Sequence, residues 1–271
     1  MIYNKSRGGV LLPDQEIKPA GTCDMTMFPM MHGVLGGAAD NAAVLNAVHF
    51  DGTNDWMTYL VAMTGEADAK LGIFSMWFKL DATSTGVREH FWSSTRIGAE
   101  KQADDTVRIF GANSGASTKL DMRSTGTTLT TAWTHILGSW DLGNSIIDLY
   151  LNDTNVTTET TNLDDDLDYT TGTYYIGQET TEAGQIVHGD VAQLYFNQAE
   201  FLNFNTESNR RKFITAGGKP MDLESDGSGP TGTAPIVFHD GETATWHTNK
   251  GSGGGFTEVG VLTDAATSPS D

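Results

Sequence analysis

Four carboxylates crowd one short stretch, Asp164-Asp165-Asp166-Leu167-Asp168, inside a Thr- and Asn-rich segment. Asp164, Asp166 and Asp168 can offer alternate oxygens to calcium, a hard cation that takes about six to eight of them. The sixth position of an EF-hand-like loop would be Tyr169 rather than the Gly its sharp turn needs, so a solvated acidic loop competes for the same residues. A second constellation is His90, Trp92, Arg96 and Arg108, on or beside strands expected to line one sheet. An aromatic face with a few planar polar groups suits a glycan; the alternative packs these aromatics between sheets or under the N-terminal arm. His32, His49, His90, His135, His188, His239 and His247 have none of the spacings of zinc ligands, and His135, inside a strand, reads as a satisfied core or sheet-face residue. There is no Gly-x-Ser-x-Gly elbow, phosphate loop or dinucleotide fingerprint, and Cys23 is the only cysteine. No catalytic residue and no cofactor beyond the calcium candidates is therefore assigned.

The elements that must position these residues are strands. Gly at 31 of 271 residues exceeds the usual share of about 7%, and charged residues make up only 19%. In 73–80 the even positions Phe74, Met76, Phe78 and Leu80 are apolar, so one face of that strand is expected in the core. Similar runs at 146–151 and 190–196 place Leu149 and Leu194 there too, and shorter ones at 56–61, 90–96, 106–110, 118–123, 133–140 and 173–178 complete the series. Evenly spaced strands joined by Gly-, Asn- and Asp-rich turns predict an all-β, two-sheet antiparallel sandwich. Thr206 to Ile214 predicts one helix of about two turns, with Arg210, Arg211 and Lys212 as helix-end, salt-bridging bases. A short strand is expected at 235–238 within an irregular Gly-rich extension. The division expected is an extended N-terminal arm at 1–46, the sandwich at 47–200, and at 201–271 a helix plus extension packed on it. A formal net charge of −19 disfavours nucleic acid as a partner. No apolar run approaches the ~20 residues of a membrane span, and Met1 to Arg7 leads into polar sequence rather than a signal-peptide core, so membrane insertion and export are not expected.

Phe50-Asp51-Gly52-Thr53-Asn54-Asp55-Trp56 resembles the opening strand and turn of laminin-G-like, concanavalin A-like jelly-roll domains. Trp133-Thr134-His135-Ile136, Ile147 to Asn152, Tyr175-Ile176-Gly177 and Gly189 to Tyr195 are similar, in order, to four later segments of that family. Asp153 and Ala192-Gln193 depart from its pattern and weaken any transfer of a ligand role. Enzymes of this fold carry carboxylates spaced Glu-x-Asp-x-x-Glu on one strand, and no strand here does, so the resemblance implies a non-enzyme. Residues 213–271, with Gly217-Gly218-Lys219-Pro220 and Asn249-Lys250-Gly251, resemble the block following lectin-like modules in tailed-bacteriophage virion proteins. That likeness implies a structural protein decorating or cementing the particle, made in the host cytoplasm, with other virion proteins and its own copies as partners. The alternative it leaves open is a tail-fibre or tail-tip protein that recognises a host surface glycan. The absence of heptads or β-helical repeats favours the compact decorating module.

Overall fold

Alternation becomes strand along most of the chain, as the computed structural model shows for residues 42–82, 86–179 and 184–271, which are those it describes. The chain divides into two compact units, 1–39 and 40–271. The first, with nearly all of the expected arm, lies outside the described residues, and all the described strands and helices belong to the second. In chain order its strands are β1 (Val48–Asp51), β2 (Trp56–Tyr59), β3 (Leu71–Leu80), β4 (Glu89–Ser94), β5 (Ile97–Lys101), β6 (Val107–Ala112), β7 (Thr118–Ser124), β8 (Thr134–Asp141), β9 (Ile146–Leu151), β10 (Thr154–Asn155), β11 (Thr157–Asn162), β12 (Tyr174–Ile176) and β13 (His188–Asn197). After helix α1 (Glu207–Arg210) come β14 (Val237–His239), helix α2 (Thr243–Trp246), β15 (Thr257–Val259) and β16 (Thr263–Asp264).

Two antiparallel sheets of eight strands face each other. The first runs β10-β9-β8-β3-β13-β1-β16, with β14 also pairing β13, and the second runs β11-β7-β6-β5-β4-β12-β2-β15. The first sheet is completed by segments distant in sequence: Val48 of β1 pairs with Val191 of β13 on one side and Asp264 of β16 on the other. Phe74, Met76, Phe78, Leu149 and Leu194 are buried between the sheets as expected, with Trp92, Trp140, Tyr174 and Phe196. This is the all-β, two-sheet antiparallel sandwich that the alternating runs predict, and the jelly roll that the resemblance implies.

Strand β3 departs from the expectation of a single core face, because Ile73, Ser75 and Trp77 are buried as well. Ile73, Leu137, Tyr150 and Tyr195 on the outer side of the first sheet pack under Phe204, Phe213, Leu223 and Phe238, which the segment after β13 lays across them. A second apolar layer thus covers that part of the face. The helix predicted at 206–214 is a single turn, Glu207–Arg210. The chain must turn Phe213 and Ile214 into buried positions, and Ile214 already bridges Pro220. Arg210 and Arg211 both pair with Asp153, and Arg211 also reaches Glu207 at 2.8 Å. Helix α2 has no counterpart among the expected elements; its Trp246 is buried against Phe50, ring centroids 5.9 Å apart. Of the expected arm, 42–46 are described: Ala43 donates its N–H to the Pro220 carbonyl at 2.9 Å, and Leu45 is buried with Trp77 and Ile214.

Candidate functional site

Residues directly opposite one another on paired strands share a face of the sheet. On the second sheet, His90 (β4), Glu100 (β5), Arg108 (β6), Arg123 (β7) and Thr158 (β11) therefore form one continuous row. Beside it runs Tyr175, Ser93, Gly98, Phe110, Asp121 and Thr161. Both rows face away from the core. Two of the four glycan candidates, His90 and Arg108, stand on this face, and Arg96 lies in the β4–β5 turn at its margin.

Trp92 does not. A register shift between His90 and Trp92 puts one extra residue into β4, and both Phe91 and Trp92 turn inward. Trp92 lies 3.9 Å from Phe196 and 5.8 Å from Tyr174 by ring centroids, at 1% exposure. It is a core residue, and the glycan expectation is corrected at that position. The aromatic surface on this face comes instead from half-buried Phe110 and Tyr175. Gly98 makes room for the first: a Cβ there would come within 2.9 Å of the Phe110 ring.

Arg108 organises the polar part. Its Nε and Nη2 each donate to Asp121 at 2.9 Å, its Nη1 donates to Glu100 Oε1 at 3.1 Å, and its guanidinium sits 4.6 Å above the Phe110 centroid. Such a bidentate, stacked arrangement is specific to arginine. Burial works against charge on Arg108, but Asp121 and Glu100 outweigh it and hold the guanidinium above its ordinary range. Burial likewise opposes ionisation of Asp121, and hydrogen bonds from Arg108 and Arg123 reverse that, holding the carboxyl below its usual range. His90 is buried, with Nε2 3.2 Å from Glu100 Oε2 and 3.0 Å from Gln185 Oε1; burial lowers its pKa despite Glu100. Arg88 stands 4.0 Å from Glu100, and Arg96 stands 3.6 Å from Asp168. The face offers fixed donors and acceptors side by side, with aromatic surface between them.

The calcium candidates are not brought together. Leu167 and Tyr169 are buried and peg the C-terminal end of the acidic loop to the core, on either side of Asp168. Asp164 pairs with Lys70 at 2.6 Å, Asp165 with Lys119 at 2.9 Å, and Asp168 faces Arg96, while Asp166 is exposed. Among the described residues no group of three or more His, Cys, Asp or Glu side chains converges as a metal site would require. His135 is a buried sheet histidine, its Nε2 2.9 Å from Ser75 Oγ and its ring stacked on Trp77 at 4.7 Å. A cavity of about 770 Å³ lies at the β16 edge of the first sheet, lined by 44–47, 242–244 and 264–268. It does not coincide with the charged face, and size alone assigns it no chemistry.

Residues 73–201, from within β3 to just past β13, match the family model described as the Concanavalin A-like lectin/glucanases superfamily. Among solved structures the chain is similar to a candidate carbohydrate binding protein from Bacteroides ovatus, at 11% identity and a TM-score of 0.59, over 83% of this chain and 61% of that one. It is also similar to a native heptameric SAP-like pentraxin from Limulus polyphemus, at 13% identity and a TM-score of 0.52, over 82% of this chain and 97% of that one. At these identities the likeness is one of fold. No curated protein matches the chain.

Proposed function

We propose that this protein is a non-catalytic, lectin-like module of a bacteriophage particle surface, and that the outer face of its second sheet binds carbohydrate. The observation that carries the reading is the contrast between the two outer faces. The first sheet is covered by the chain's own apolar segment, whereas the second keeps Arg108, Arg123, Phe110 and Tyr175 partly open to solvent. Arginine–carboxylate pairs beside aromatic rings match the alternating hydroxyls and apolar patches of a sugar. The names of the family and of the Bacteroides neighbour point the same way. Placement on a virion rests on the resemblance of 213–271 to phage proteins.

Catalysis is disfavoured on this face. A glycosidase needs one carboxyl with a raised pKa as proton donor, and Asp121, between Arg108 and Arg123, is held below its usual range instead. The test is a glycan array with bacterial surface polysaccharides, read for the wild type, Tyr175→Ala and Arg123→Ala. Binding that falls at least about tenfold in both variants supports the reading. No binding to any glycan, with hundreds of copies per purified particle by mass spectrometry, would leave a purely structural decoration instead.

A further inference from the structure

Lys101 is the only buried lysine among the described residues, and its side chain is wholly closed to solvent. It ends β5, in which Ile97 and Ala99 belong to the core while Glu100 faces outward. Alternation therefore turns Lys101 inward, opposite the core residue Val107 of β6. An ammonium in that position is costly unless it is paired. Two carboxylates meet it. Glu89, directly across on β4, has Oε1 3.3 Å from Nζ, and Asp105, in the turn after β5, has Oδ1 3.2 Å away. Nζ also donates to the Val87 carbonyl at 2.8 Å.

Each carboxylate is fixed by backbone from elsewhere in the fold. Glu89 Oε2 accepts the His188 N–H at 3.1 Å, which leaves Oε1 toward the ammonium. Burial raises the Glu89 pKa, outweighing that hydrogen bond and the charge of Lys101. Asp105 sits at positive φ, 62°, in a turn closed by Gln102 N–H donating to the Thr106 carbonyl at 2.7 Å, and its own carbonyl accepts the Leu129 N–H at 2.8 Å. Both carboxylates and the lysine are buried. With its carboxyl protonated, Glu89 leaves one ammonium against one carboxylate, with an acid beside them and water excluded. Those are the ingredients of a condensation as well as of an ion pair.

We propose that the folded chain joins Lys101 to Asp105 by an intramolecular amide, with Glu89 relaying protons. Nζ attacks Cγ of Asp105, the Nζ–Cγ bond forms and a Cγ–O bond breaks. The departing oxygen leaves as water with two of the three ammonium protons, passed on through Glu89, whose own protonation is the same before and after. No oxidant, reductant or further reactant is needed. Groups fixed about 3–3.5 Å apart react as though highly concentrated, and the product replaces a buried ammonium and carboxylate with a neutral amide. Asp105 is the acceptor because Glu89 is tied by its other oxygen to the His188 N–H. The loop closed is short, so the bond constrains the unfolded chain little and acts mainly by removing buried charge. It is independent of the carbohydrate reading.

The experiment is mass spectrometry of the purified full chain after denaturation and digestion with trypsin. The expected product is residues 97–108 as one peptide, uncut after Lys101 and lighter by one water, with no fragment ions from the bonds between 101 and 105. Lys101→Arg, which keeps the charge but not the amine, should return 97–101 and 102–108 as separate peptides of full mass. Glu89→Gln, with circular dichroism like that of the wild type, should do the same. Wild-type peptides 97–101 and 102–108 at full mass overturn the proposal without reference to any variant. So does a water lost while trypsin still cuts after Lys101, which marks an aspartyl succinimide, or an amide to Glu89, which would link 89–96 to 97–101. A cross-link that persists undiminished in Glu89→Gln overturns the relay.

Discussion

Lowering the pH from 7 to 5 should destabilise this protein through two buried histidines. Burial pushes His135 down to about 3, and pushes His239 down to about 4 even though its Nδ1 lies 2.7 Å from the Trp246 carbonyl. In the unfolded chain both titrate near the ordinary value of about 6.5. Above that value both states carry neutral rings and pH has no effect through them. Below it the unfolded state takes up protons that the native state refuses, so stability falls steadily until the folded pKa values are reached. At pH 5 each histidine is about 1.5 units below its unfolded pKa, which amounts to about 2 kcal/mol per residue and about 4 kcal/mol for the pair. That is a large part of the roughly 5–15 kcal/mol that holds a typical domain together. His90, lowered by burial, adds in the same direction. Glu89, Asp148 and Asp240 oppose it: burial raises all three, so the native state binds their protons first and gains stability once pH enters the range just above their ordinary values. The loss should therefore be steepest between pH 6.5 and 5 and flatten below. Urea unfolding at half-unit intervals reads this directly, with a slope near pH 5.5 approaching two protons or more. His135→Gln should lower that slope by about one proton. Stability that is flat from pH 7 to 5, or a slope indifferent to the substitution, would refute the reasoning.

Three further outcomes are expected. Phe78→Ala removes a fully buried ring that packs on Phe91 and should cost about 3–5 kcal/mol in chemical denaturation. Incubation with β-glucans, alginates and capsular polysaccharides should release no reducing ends, and turnover abolished by Asp121→Asn or Asp166→Asn would contradict the non-catalytic reading. Deleting 1–40, which carries most of the expected arm, should abolish incorporation into particles while leaving the melting temperature unchanged; an aggregating, destabilised monomer would assign those residues to the fold itself.

Strands with strong alternation, such as β3, β9 and β13, are legible because parity alone separates their faces. The double burial of β3 has a visible cue that alternation does not rank: Ile73 and Trp77, at the supposedly outer positions, are themselves large and apolar. Strand β5 is hidden because Glu100 and Lys101 read as solvated, whereas both are buried and neutralised in place, Lys101 by Glu89 and Asp105 within 3.3 Å. Strand β11, Thr157 to Asn162, has no apolar residue at all and exists because β7 offers it an edge. At the site, Arg108 stands out in the sequence but its partners do not. Asp121 meets it only through the register of β6 against β7, which a single sequence does not reveal. Trp92 is turned inward by the bulge at Phe91, a change of parity with no local signature.

The pairing of β1 with both β13 and β16 bears on how the protein is made. Val48 finds one neighbour at Val191 and the other only at Asp264. A ribosome working at roughly 5–20 residues per second takes about 10–40 s to pass from Val48 to Asp264, and β1 waits that long for its last neighbour. During that interval the free edge of β1 and the bare apolar outer face of the first sheet are both available to other nascent chains. Dependence on a chaperone, or inclusion bodies when synthesis is fast and warm, would be the cellular trace of a sheet whose border strand is translated last.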